Sequence, residues 1–249
     1  LAGSKNTIQT RRTLLPVGLR TRFARVLSML LVFLVACQAH AVDPIASIPV
    51  GNSPFALALT QSGHRAVVVN LFPVKIEVSP GVFADGPNVR ILDLDALSEQ
   101  RAFRAGTRLV AIAVTGDEAL VVNEDQDAVR VVNTASGIEI TQIPVGSRPS
   151  NVIVATPAVA VITNGTSGDL SFVDLQGRRT LGSPLHVGTD PRAVALHPNG
   201  RHLYVALGGD DAVTVVDLAA NPLAHSVPVA VGRNPVALAI SLDGRYIVV

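Results

Sequence analysis

From residue 46 onward, short apolar runs alternate with polar turns in a pattern that repeats. A Val-Gly pair, two further residues, a proline and an alternating apolar run recur: Val50-Gly51 leads to Pro54, Val145-Gly146 to Pro149, Val187-Gly188 to Pro191 and Val231-Gly232 to Pro235. Ala105-Gly106 is a degraded copy with Leu109 in the proline slot. Period-2 alternation bounded by turn residues predicts strands. The unit after Gly188 resolves into four, A to D: Arg192 to Leu196, His202 to Leu207, Ala212 to Asp217 and Ala224 to Val231. The turns between A and B read Gln61-Ser62-Gly63, Gly116-Asp117, Pro198-Asn199-Gly200 and Leu242-Asp243-Gly244, with glycine supplying positive φ. Asp93, Asn133, Asp174 and Asp217 each end a strand C, where an Asx side chain can accept hydrogen bonds from the following turn.

The glycines at 51, 106, 146, 188 and 232 are spaced by 55, 40, 42 and 44 residues, and the strand-ending Asx residues by 40, 41 and 43. A period near 40 to 45 residues with four strands per unit predicts an all-β chain, a β-propeller of four-stranded blades. The blades span about 52–106, 107–146, 147–188 and 189–232, with part of a fifth at 233–249. Alanines at 56, 58, 111, 113, 193, 195, 237 and 239 place small side chains on strand A, as an innermost strand crowded at the axis requires. Blade one carries a 15-residue excess at Leu71 to Pro87, and blade three has Thr156-Pro157 in place of a glycine turn. Ala46 to Val50 reads as a strand D without its own A, B or C, and the pattern stops inside a strand B. The expectation is therefore a piece of a larger propeller, lacking strand C of the closing blade and two further blades.

Strand B ends in Val67-Val68-Val69-Asn70, Val121-Val122-Asn123 and Val161-Ile162-Thr163-Asn164, and units close on Ile-Pro-Val-Gly or a variant. In these residues the chain resembles the YVTN family of β-propeller repeats, found in secreted and surface-layer proteins of bacteria and archaea. The resemblance covers residues 46 to 249. It implies the fold, and an exported binding or scaffold role, because the matching residues build turns and strands.

Composition narrows the classes further. With 48% hydrophobic, 16% charged and 4% aromatic residues, disordered, collagenous and coiled-coil chains are excluded. The absence of tryptophan removes propellers built on a Trp-Asp dipeptide and quinoprotein propellers. The net charge of +1 conceals an asymmetry. Lys5, Arg11, Arg12, Arg20, Arg22 and Arg25 precede the first acid, Asp43, and the body beyond carries about −5. Val26 to Cys37 is an apolar stretch of 12 residues, short of the roughly 20 that a spanning helix needs. Residues 1–41 thus read as a signal peptide cleaved after Ala41 in Ala39-His40-Ala41. Leu34-Val35-Ala36-Cys37 also resembles a lipobox, in which Cys37 would be acylated, and both routes stay open. Either way the product is exported to the periplasm, cell surface or medium, with membrane contact only through a lipidated Cys37. Thr10-Arg11-Arg12-Thr13-Leu14-Leu15 is a faint twin-arginine pattern. The chain starts at Leu1, and its one methionine, Met29, lies in the apolar core.

Strand parity puts the D to A and B to C connections on one face of the propeller. There the D to A segments carry Arg108, Arg148 and Arg233, with Arg192 opening a strand A. The B to C loops carry Glu124, Asp125, Asp127, Asp210 and Asp211. The arginines are the candidate ligand-binding residues, for an anionic small molecule or protein partner at the channel mouth; alternatively they pair with those acids and stay solvated. No catalytic residue, metal site or cofactor is expected. The acid pairs lack calcium-loop spacing, and the histidines share no repeat position. Leu196-His197-Pro198-Asn199-Gly200-Arg201 resembles the turn of propeller lactonases but is also the generic turn of this repeat. The body's negative charge opposes nucleic-acid binding. The expected function is a non-catalytic exported binding or scaffold module; the alternative is a propeller enzyme of the lactonase or periplasmic oxidoreductase kind with its active groups in the absent blades.

Overall fold

Strand B of each blade shows what the fold does with the alternation. In Arg65–Asn70, Glu118–Asn123 and Val159–Asn164, all of the last five residues are buried, so both faces of the sheet are covered. A computed structural model, describing residues 47–220 and 223–249, gives the reason. The chain forms consecutive antiparallel four-stranded sheets in the order A-B-C-D, each packed face to face on the next. Alternate residues of one strand thus serve two different interfaces. Val67, Val69, Val89 and Ile91 of blade one meet Leu109, Ala119, Val121 and Val132 of blade two. The intervening Leu120, Val122, Val129 and Val131 face the other way, onto Val152, Ala160, Ile162 and Val173 of blade three. Val161, Leu170 and Phe172 then meet Val194, Leu203, Val205 and Val216 of blade four. Each side chain leaves water through a neighbouring sheet, so the hydrophobic gain resides between blades.

Blade one comprises Pro54–Leu59, Arg65–Asn70, Val89–Asp93 and Ser98–Phe103; blade two comprises Leu109–Thr115, Glu118–Asn123, Ala128–Asn133 and Glu139–Pro144. Blade three begins Pro149–Thr156, Val159–Asn164, Asp169–Asp174, and blade four Pro191–Leu196, His202–Leu207, Ala212–Asp217. Of a fifth unit, Ala239–Ile240 pairs with Ile247–Val248. The excess in blade one folds as a separate hairpin, Lys75–Ser79 with Val82–Asp85, turned by Pro80-Gly81. Its base is tied down by Lys75 and Arg104, both on the Asp85 carboxylate.

Two expectations change in detail. Strand D of blade four is not continuous over Ala224 to Val231. It splits into Ala224–His225 and Val229–Ala230, both on strand C, because Pro228 between them has no N–H to donate. Blade three's outer strand is likewise two short pieces, Arg179–Thr180 and Leu185–His186, flanking Pro184. Residues 47–50 form no strand; Ile48 and Val50 instead cover Ala66, Val68 and Leu92 on the outer face of blade one. The leader residues, including Cys37 and Ala41, lie outside the described residues.

The predicted turn chemistry is present in atomic detail. Asp93 Oδ1 accepts from the N–H groups of Asp95 and Ala96 at 3.0 and 2.8 Å, and Asn133 Oδ1 from Ala135 and Ser136 at 3.0 and 2.8 Å. Asp174 and Asp217 bind Gln176 N–H and Ala219 N–H in the same way. The C to D turn is then pinned to the A to B turn of its own blade by one backbone bond, from Leu94, Thr134, Leu175 and Leu218 to the carbonyls of His64, Asp117, Ala158 and Arg201.

Candidate functional site at the channel mouth

The opposite ends of the blades are built on the residue two places after each Val-Gly glycine. Ser53, Arg148, Asp190 and Asn234 occupy it with φ of 60°, 55°, 50° and 51°, each just before the repeat proline. A proline disfavours right-handed helical backbone in the residue ahead of it, and here the left-handed region is adopted. The carbonyls of Ser53, Arg108, Arg148 and Asp190 accept from the N–H of the residue that follows strand B, namely Leu71, Glu124, Gly165 and Gly208, at 3.1, 2.9, 2.8 and 2.8 Å.

Two further links order this face, one within each blade and one from a blade to the next. The left-handed residues Asp127, Gly168 and Asp211 of the B to C turns accept, through their carbonyls, from Val145, Val187 and Val231. Asp127 Oδ1 also takes the Arg148 N–H at 2.7 Å, and Asp211 Oδ1 the Asn234 N–H at 2.6 Å. The acids therefore organise the next blade's entry loop. The asparagine ending strand B stands over an entry glycine in two units, Asn123 over Gly106 and Asn164 over Gly146, while Leu207 stands over Gly188. Asn70 Nδ2 donates to Val50 O at 2.8 Å, and Asn123 Nδ2 reaches Ala105 O at 3.5 Å.

On this scaffold the four candidate arginines occupy three repeat positions rather than one. Arg108 and Arg148 are equivalent, Arg192 sits two residues further on, and Arg233 one residue earlier. The structure brings the first two together on Glu124, whose side chain is only 10% exposed. Arg148 Nε donates to Oε1 at 2.7 Å. Arg108 Nε lies 2.8 Å from Oε2 but off the donor axis, leaving that buried N–H without an aligned acceptor. The Glu124 hydrogen bond and charge, with the Asp190 charge beyond, hold the Arg148 pKa above the ordinary guanidinium value. Asp190 in turn accepts from Arg192 Nε at 2.6 Å. A belt of alternating sign results: Arg108, Glu124, Arg148, Asp190 and Arg192, contributed by blades two, three and four. Arg192 also runs over Gly208, where a β-carbon would stand 2.8 Å from its Nε. Arg233 is exposed and is not drawn into this belt.

Asp190 and Asn234 escaped sequence reasoning as site residues. Superposing the Val-Gly-x-x-Pro units by register would have found them, because both occupy the slot of Arg148. The hairpin of blade one belongs to the same face, joined to it by Leu109 N–H donating to Leu71 O at 3.2 Å, and it exposes Phe72, Ile76, Val78 and Val82. Two concavities of about 360 Å³ lie elsewhere. One is a polar notch at Thr60 to Ser62, Arg65, Gly116 and Asp117; the other is an apolar groove around Phe172, Leu181 and Leu218. Among the described residues no group of three or more His, Cys, Asp or Glu side chains is placed to hold a metal ion.

No family model matches the chain, and no curated protein does either. Solved structures resemble it in fold. Hydrazine synthase of Kuenenia stuttgartiensis aligns with a TM-score of 0.65 at 21% identity, over 85% of this chain and 57% of that one. A functionally unknown protein from Desulfotomaculum acetoxidans DSM 771 gives 0.62 at 13% identity, covering 77% and 61%. The Cps50 (Swd1) β-propeller domain of Myceliophteria thermophila gives 0.62 at 12%, covering 79% and 61%. The chain thus spans about three-fifths of the length of these structures. With the stacked four-stranded sheets, these likenesses establish a β-propeller fold.

Proposed function

We propose that this chain is an exported, non-catalytic binding module of the YVTN type, which holds an anionic ligand at the channel mouth. The observation that carries the reading is the belt itself: guanidinium groups from three successive blades converge at one face of a rigid repeat. Forked guanidinium groups match carboxylate and phosphate oxygens, and charge-assisted hydrogen bonds to them contribute roughly 1.5–3 kcal/mol each. The blade-one hairpin, with its exposed apolar side chains, adds a second kind of contact to the same face. Export rests on the leader composition, six basic residues ahead of an apolar core and a small-residue cleavage site.

The test of the site is the double substitution Arg148→Ala with Arg192→Ala, titrated calorimetrically with succinate at low ionic strength. Binding should fall at least tenfold, with an unchanged far-ultraviolet spectrum, since neither side chain contributes to the inter-blade cores. Succinate binding equal to the parent's would show that the belt is only a strut between blades. Export has its own test. Mass analysis of the mature protein should show Val42 at the N-terminus, or an acylated Cys37; a product that retains Leu1 in the cytoplasm would overturn it.

A further inference from the structure

Glu124 occupies the place that an external anion would take. Two guanidinium groups from adjacent blades close on one carboxylate, and it serves them unequally: Arg148 Nε is met in line, whereas the buried Arg108 Nε has no aligned acceptor. Glu124 begins the 3₁₀ turn Glu124–Gln126, and its own N–H is fixed to Arg108 O at 2.9 Å. Its backbone is therefore pinned to the same loop its carboxylate must serve. Yet the arginine side chains are 42% and 56% exposed, so solvent and solutes reach the pair.

We infer that Glu124 is an internal stand-in for the ligand, a built-in competitor that a free carboxylate displaces from Arg108 and Arg148. This rests on the proposed anion-binding function and names its ligand chemistry, a carboxylate. A ligand arriving from solvent orients freely, so one carboxylate can meet both Nε–H donors in line. Glu124 imposes a threshold because its tether holds it at high effective concentration beside the arginines. A single weak carboxylate does not compete; a ligand with two or more does, because the others add attraction along a belt that continues to Arg192. Asp190, already bound to Arg192, stays in place.

The experiment compares the parent with Glu124→Gln and Glu124→Ala, titrated with succinate and, separately, with tetraglutamate, at pH 7 and low salt. Glu124→Gln keeps the side-chain shape and serves if the alanine variant folds poorly. Both variants should bind succinate at least tenfold more tightly than the parent, and adding Arg148→Ala should erase the gain. A gain seen with tetraglutamate but not with succinate would place the carboxylates on an acidic peptide instead of a small molecule, with the displacement unchanged. If the parent binds succinate and neither Glu124 variant binds it more tightly, the displacement is wrong while the anion site stands. If neither the parent nor the variants bind either probe, the anion site and the displacement both fall.

Discussion

Replacing Gly106 by alanine is expected to cost about 4 kcal/mol of folding stability, from backbone strain and overpacking together, each roughly 1–3 kcal/mol. Two independent constraints meet at this residue. Its φ is +107°, a conformation that L side chains rarely adopt, and a β-carbon there would overlap Asn123 Nδ2, which is completely buried. Asn123 has little room to yield, because its amide also donates to Gln126 Oε1 at 2.9 Å. Gly63 provides the control. It too has positive φ, +74°, but nothing stands within 4 Å of its missing side chain. Gly63→Ala should therefore lose only about 1–2 kcal/mol, the backbone part alone. Urea unfolding monitored by circular dichroism separates the two. Equal midpoints for the two variants would mean that the Asn123 contact is soft, and that glycine recurs here for its backbone alone. In the double variant Gly106→Ala with Asn123→Gly, part of the loss should return.

The second large effect is expected between blades. Leu120 is fully buried and belongs to the cluster shared by blades two and three. Leu120→Ala removes its side chain from both sheets and should destabilise by roughly 3 kcal/mol, within the 2–5 kcal/mol seen for such truncations. Leu242, 96% exposed in an A to B turn, should change stability by less than about 0.5 kcal/mol on the same replacement. The comparison tests where stability resides. In stacked repeats it is a sum of intrinsic unit terms and nearest-neighbour interfaces. A Leu120→Ala loss no greater than that at Leu242 would mean that blades two and three hold together by their backbone links instead of by side-chain packing.

Much of this molecule is legible in its sequence because its determinants are local. The ends of strands B and C of blade four, His202 to Leu207 and Ala212 to Asp217, follow from alternation and turn residues, and they agree with the observed strands. The Asx residues at 93, 133, 174 and 217 cap turns two or three residues away, so position in the chain is enough to assign their role. Glycines 63, 200 and 244 supply the positive φ that their turns demand. The repeat length set the number of strands per blade, and with it the parity that gathers entry loops and B to C loops at one face.

What the tertiary structure alone decided is how the repeats meet. Burial of five consecutive residues in strand B looks like an exception to alternation until both faces of the sheet are seen to be covered, in blade two by blades one and three and in blade one by blade two and residues 47–50. Asn70 and Asn123 were visible only as a family signature; the fold shows them reaching back 20 and 18 residues to the carbonyls of the entry segment. Arg108, Arg148 and Arg192 looked alike in sequence as cations near a strand start. Arg192 takes Asp190, two residues before it in the same loop, whereas Arg148 takes Glu124 from the preceding blade, a pairing that depends on how blades two and three sit together. Turns and strands answer to contacts a few residues apart, which composition and spacing record. The pairing of Arg148 with Glu124 across two blades answers to the angle between neighbouring sheets, and that angle is fixed only once the core between them has packed.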